Sequence, residues 1–133
     1  MKRDARRLLV IVEDSDPCAA TLEVALDGLA GVDLVRFRRA EEALARIERD
    51  ADAPCCGLVT DLQLPRMDGL ELVRLVRRHR PAAAFPILVT SGDSDPKTPE
   101  RVMRLGANAY FRKPYSPGEV RRTLEHLLDE ENI

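Results

Sequence analysis

The chain has 133 residues, 44% of them apolar and 33% charged, a globular balance at a length that forms one domain with its own core. Its 21 basic and 23 acidic side chains leave a net charge of −2, which gives no basic field to hold nucleic acid or an anionic membrane surface. The longest clean apolar run, residues 8–12, is cut off by Glu13 and Asp14, far short of a membrane span or a signal-peptide core.

Taken in chain order, a short polar lead precedes a first strand at 8–12, an apolar run too short for a helix. Asp16-Pro17 sets a capping oxygen before a proline at the first helical position and opens a helix. Gly28 and Gly31 stand where that helix stops. A second strand is predicted at 32–35, and Ala40, Ala43, Leu44 and Ile47 follow the apolar stripe of an amphipathic helix. Pro54 punctuates the loop before a third strand at 58–60, and Pro81 and Pro86 do the same before a fourth at 87–90. Thr98-Pro99 opens a helix that Gly106 closes, and a fifth strand follows at 109–111. Ser116-Pro117 opens the last helix, Glu119 completes a capping box, and Val120, Leu124, Leu127 and Leu128 form its buried stripe. A short acidic tail closes the chain, and both ends are expected to fray.

Strand and helix thus alternate five times, which argues for a parallel sheet covered by helices on both faces. Five strands suit an open doubly wound sheet, because the closed barrel of this type needs eight. The cysteines, Cys18, Cys55 and Cys56, have neither disulfide-framework nor zinc spacing, so a reducing, cytoplasmic setting with packed thiols is expected. His79 and His126 lie among charged neighbours and read as solvated, as does the basic run Arg77-Arg78-His79-Arg80 at a helix end.

In open α/β sheets, ligands bind beyond the carboxyl ends of the strands. Glu13 and Asp14 follow the first strand, Asp61 the third, Ser91 the fourth, and Lys113 and Pro114 the fifth. Arg36, Arg38 and Arg39 follow the second, with no matching feature. Two like charges about 4 Å apart repel by roughly 4 kcal/mol at an effective dielectric near 20. Three carboxylates on one rim therefore call for cations. Lys113 supplies one charge, and an all-oxygen donor set favours a hard ion, Mg²⁺, for the rest. A carboxylate facing Mg²⁺, an ammonium and a hydroxyl is arranged to accept a phosphoryl group.

Four motifs carry a family resemblance: Val12-Glu13-Asp14; Asp61-Leu62-Gln63-Leu64-Pro65-Arg66-Met67-Asp68-Gly69; Val89-Thr90-Ser91-Gly92; and Tyr110-Phe111-Arg112-Lys113-Pro114. In order and spacing they resemble the receiver domain of bacterial two-component response regulators, of the single-domain chemotaxis type, over about residues 7–128. The resemblance implies a flavodoxin-like fold with strand order 2-1-3-4-5 and no output domain. It implies Asp61 as phosphoacceptor, and Mg²⁺ held by Asp14, Asp61 and the backbone carbonyl of Gln63, with Glu13 acting through a metal-bound water. Ser91 would swing toward the phosphoryl group, Lys113 would pair with it, and Tyr110 would move inward as the switch. The Lys113–Pro114 bond is expected to be cis. Gly69 is expected to serve the turn into the third helix, and Gly92 to leave the space beside Ser91 open. The donor would be a sensor histidine kinase or a histidine phosphotransfer protein. The output would be a downstream protein, bound through the face of helix four, strand five and helix five; a homodimer through that face is left open.

Two other readings compete. A haloacid-dehalogenase-type phosphatase also uses a strand-end Asp but needs a second acid two residues on, where this chain has Gln63. A receiver-like binding module that is never phosphorylated tends to lack the acceptor, a metal acid or the lysine, all of which are kept here. Nucleotide binding lacks its glycine-rich motifs.

Overall fold

The structure is a computed structural model that describes residues 6–49 and 54–131; of the ends expected to fray, 1–7 and 129–133, residues 1–5 and 132–133 lie outside the described residues, whereas Arg7 belongs to the first strand and 129–131 to the last helix. Strands β1 (Arg7–Val12), β2 (Val32–Phe37), β3 (Cys55–Asp61), β4 (Ile87–Ser91) and β5 (Ala109–Arg112) alternate with helices α1 (Asp16–Leu26), α2 (Ala40–Arg49), α3 (Gly69–Arg77), α4 (Thr98–Arg104) and α5 (Pro117–Glu131). The strands form one parallel sheet in the order β2-β1-β3-β4-β5, the doubly wound flavodoxin-like topology that the motifs implied.

Side chains of successive strand residues point to opposite faces, and the core divides accordingly. Leu9 and Ile11 pack with Leu22 and Leu26 of α1, Leu88, and Val120 and Leu124 of α5. Val10 and Val12 pack on the other face with Ala43 and Ile47 of α2, Leu72 and Val76 of α3, and Val102 of α4. Burying each Leu, Ile or Val contributes about 1.5–3 kcal/mol, so both helical layers are held by the same strands. Every residue of β3 is buried, whereas the edge strands β2 and β5 are mostly half-buried.

Several boundaries differ from expectation: β1, β4 and β5 each gain one residue, and β2 runs on to Phe37, so that Arg36 lies within the strand rather than after it. β3 starts at Cys55, ahead of the run at 58–60, because two buried cysteines and Gly57 continue it; a side chain at Gly57 would press on the Pro86 carbonyl at 3.0 Å. The cap of α1 is Ser15, not Asp16: the Ser15 Oγ accepts from the Cys18 N–H, while Asp16 is engaged by arginines. The cap position of α4 is Lys97, without a side-chain hydrogen bond, and Thr98 already belongs to the helix. Its hydroxyl instead donates to Asp93 Oδ2 at 2.8 Å. Gly28 and Gly106 hold φ of +82° and +109° after α1 and α4, a conformation that side chains with a Cβ disfavour.

Candidate functional site

From β1 the chain crosses to β2 on one side and then returns to β3 on the other, so the carboxyl ends of β1 and β3 flank the topological switch point. Val12 pairs with Thr60 in the parallel register, which sets the next residues, Glu13 and Asp61, side by side. Both are nearly shut off from solvent, at 1% and 5% exposure, and an unpaired charge there would be costly. Lys113 follows β5, and its N–H donates to the Ser91 carbonyl at 2.7 Å. Its Nζ donates to Asp61 Oδ2 at 2.9 Å and to Glu13 Oε1 at 3.1 Å. The second oxygen of each acid takes a backbone donor: Ser15 N–H on Glu13 Oε2 and Gln63 N–H on Asp61 Oδ1, both at 3.1 Å. The Lys113–Pro114 peptide is cis.

Burial raises the Glu13 carboxyl above the ordinary glutamate range, and the Asp61 charge adds to this; the Ser15 N–H and Lys113 only partly offset it. Burial lowers the Lys113 ammonium, but its hydrogen bond to Asp61 and the charges of Asp61 and Glu13 outweigh that and raise it above the ordinary lysine range. One ammonium thus holds two carboxylates that would otherwise repel each other.

Ser91 is buried at the end of β4, and its Oγ accepts from the Asp93 N–H at 2.9 Å. Asp93 and Asp95 each accept a further N–H two residues on, which folds the β4–α4 loop into successive side-chain turns. A Cβ built on Gly92 would have only Gln63 Oε1 near it, at 4.0 Å, so the space there is open. Tyr110 lies opposite Val89 in the sheet register and packs against the core on the α2–α3–α4 face. Its hydroxyl is buried with no hydrogen-bond partner among the described residues. By strand alternation, Ser91 faces the same side as Val89 and Tyr110.

The structure therefore gathers Glu13, Asp61 and Lys113 in direct contact, with the Ser91 backbone tied to Lys113. Asp14 stands next to Glu13 and is exposed. Among the described residues, no group of three or more His, Cys, Asp or Glu is gathered so as to hold a metal. The donors are nevertheless all oxygen, and Mg²⁺ is commonly held by only one or two carboxylates together with water and phosphate oxygens. Glu13, Asp14 and Asp61 fit that set in kind. Asp68 takes the cap of α3, accepting the Glu71 N–H at 2.9 Å. Gly69 is needed for a close approach, since a Cβ there would collide with the Asp61 carbonyl and the Leu62 backbone. His79 is exposed and faces Glu48 at 3.6 Å.

Two features were not read from the sequence. Arg36 and Arg38, at the end of β2, reach back to the loop that carries Glu13 and Asp14. Three arginines within four residues (36–39) were the available signal. The Gln63 side chain also spans to the β4–α4 loop, accepting the Gly92 N–H at 3.3 Å.

The comparisons with known proteins agree with this architecture. The model of the response regulator receiver domain matches residues 9–125. The chain is 28% identical over 120 residues to chemotaxis protein CheY1 of Helicobacter pylori, covering 90% of this chain and 95% of that protein. It is also 28% identical over 125 residues to the alkaline phosphatase synthesis transcriptional regulatory protein PhoP of Bacillus subtilis, covering 94% of this chain and 50% of that one. Chemotaxis protein CheY4 of Vibrio cholerae superposes with a TM-score of 0.76 at 25% identity, over 92% of this chain and 99% of the other. A CheY-like receiver domain protein of Methanospirillum hungatei superposes with a TM-score of 0.81 at 24% identity, over 96% and 97%. No described helix is long and apolar enough to cross a membrane. With the family's sheet order and a family match over most of its length, the chain belongs to the response regulator receiver domains of two-component signalling.

Proposed function

We propose that this receiver is a phosphorylation switch in which Asp61 accepts a phosphoryl group from a phosphohistidine on a sensor histidine kinase or histidine phosphotransfer protein. The supporting observation is the Asp61 carboxylate itself. It is almost buried, anchored on one oxygen by Lys113 Nζ at 2.9 Å and on the other by the Gln63 N–H, at the mouth of the switch-point crevice. A carboxylate oxygen attacks phosphorus, and the bond to the imidazole nitrogen breaks. The electron pair stays on that nitrogen, which takes a proton from solvent. Asp14, Asp61, the Gln63 backbone carbonyl and, through water, Glu13 would hold Mg²⁺, which when bound offsets charge on the transferring phosphoryl oxygens. Lys113, already charged and pre-aimed, supplies the second cation, and the Ser91 hydroxyl a donor once it leaves the Asp93 N–H. The chain would catalyse only its own phosphorylation and hydrolysis.

Phosphorylation adds negative charge and three acceptor oxygens. Drawing Ser91 toward them frees space on the face it shares with Tyr110, whose unpaired hydroxyl has nothing to hold it. The face of α4, β5 and α5 then changes its population of shapes and meets a downstream protein. The phosphatase reading has no support in the site, since Gln63 provides no second acid.

Beryllofluoride, a mimic of the acyl phosphate, tests the switch. With Mg²⁺ it is expected to shift the amide NMR signals of Asp61, Gly92, Lys113 and Tyr110 in the wild type, and to leave Asp61→Asn unchanged. A folded wild type with no such shifts would support the non-phosphorylated binding module.

A further inference from the structure

We propose that Arg36 and Arg38 are positioning residues for the acidic loop, holding the backbone around Asp14 so that its carboxylate is presented to Mg²⁺; the proposal rests on the Mg²⁺ reading of the site. The Arg36 guanidinium, 18% exposed, donates through both Nε and Nη2 to one acceptor, the Glu13 carbonyl, at 3.0 and 2.7 Å. Arg38 Nη1 reaches the next carbonyl, that of Asp14, at 3.4 Å. The two peptide carbonyls that bracket Asp14 are thus both taken by side chains from the end of β2 and the residue just after it. Asp16 ties the pair together: its Oδ1 lies 3.0 Å from Arg36 Nη1 and 2.6 Å from Arg38 Nη2.

A carbonyl with two guanidinium donors cannot rotate freely, so the plane of the Glu13–Asp14 peptide is fixed. That plane sets where the Asp14 side chain leaves the chain. The opposite end of the loop is held separately, by the Ser15 N–H on Glu13 Oε2 and by the Cys18 N–H on Ser15 Oγ. The exposed acid is therefore braced from both sides. A lysine could supply the charge but not three directed N–H groups to two acceptors. Groups that orient metal ligands in this way typically contribute about 10–100-fold in metal affinity.

Charge alone predicts the opposite sign. Deleting a cation beside a cation site relieves repulsion and tightens Mg²⁺. A purely structural tie between β2 and α1 predicts a lower melting temperature with Mg²⁺ affinity unchanged. Calorimetric titration with Mg²⁺, beside melting curves recorded in EDTA, separates the three. Arg36→Met is expected to bind Mg²⁺ about tenfold more weakly, and Arg36→Lys to recover part of the loss. Arg38→Met, an exposed change that frees the Asp14 carbonyl and, like Arg36→Met, removes a cation, is expected to weaken Mg²⁺ binding by a smaller factor, which keeps the test decisive if Arg36→Met does not fold. Unchanged or tighter binding in Arg36→Met and Arg38→Met overturns the proposal while leaving the metal reading intact. A wild type that binds no Mg²⁺, or whose binding survives Asp14→Ala, overturns the metal reading and the proposal with it.

Discussion

Lys113 holds two acids whose exposure is 5% or less, and its removal leaves both without a cation. Breaking a buried pair by deleting one partner costs about 3–5 kcal/mol, and Lys113→Ala is expected to lose that order of stability at neutral pH in EDTA. The pH dependence has a definite sign. The raised Lys113 pKa gives stability that is complete below the free-lysine value and is lost only as strong alkali takes pH through the higher folded value. The raised Glu13 pKa means that its ionisation costs stability at neutral pH, a cost that disappears as pH falls below the ordinary glutamate value. The deficit of Lys113→Ala should therefore shrink as the medium is acidified. Urea unfolding at neutral and mildly acidic pH measures this, and a deficit independent of pH would contradict the paired-charge account. Glu13, Asp61 and Ser91 were legible in the sequence because each directly follows a short apolar run, and Lys113 because it stands one residue beyond another. Arg36 and Arg38 were not, because a long guanidinium side chain acts several ångströms from its own strand end. Asp16 misled for a related reason: the shorter Ser15 side chain fits the cap, and the longer carboxylate is free to meet the arginines.

The loops that carry the site are set by elements on either side of them. Gly69 begins α3 directly against the Asp61 carbonyl and the Leu62 backbone, and Asp68 caps the same helix. Gly69→Ala is expected to cost about 1–3 kcal/mol as the backbone shifts to admit the methyl group, and to displace the Gln63 N–H that holds Asp61. A melting curve checks the first effect, and the amide chemical shift of Gln63 checks the second; a variant with wild-type stability would contradict the close approach. The sequence pointed to a glycine at this turn, but its reason is contact rather than backbone angle. Only packing against a neighbouring strand distinguishes these. The early start of β3 was hidden in the same way, since cysteine and glycine carry weak strand signals; here both cysteines are buried and Gly57 lies against Pro86 and Leu9. The start of α4 was displaced by one residue because Thr98 spends its hydroxyl on Asp93 rather than on the helix end.

Across the whole molecule, sheet order does what no single motif can. Parallel strands with β1 and β3 adjacent bring Glu13 and Asp61 together, although 48 positions separate them (61 − 13). They also bring Lys113 to both acids from the far end of the chain. The parallel sheet was legible from strict alternation of strand and helix, and its strand order only from the resemblance that the four motifs carry. The coupling proposed between Ser91 and Tyr110 would run along one face of the sheet, the face shared with α4, on which strand alternation places both residues. At the scale of the whole molecule, the proposed switch requires Asp61 to be the phosphoacceptor and its reaction to need Mg²⁺. Intact mass after incubation with acetyl phosphate, with Mg²⁺ or with EDTA, tests it in the wild type and in Asp61→Asn. A single phosphoryl addition is expected in the wild type with Mg²⁺ alone. Addition that persists in Asp61→Asn, or that is indifferent to EDTA, would contradict it.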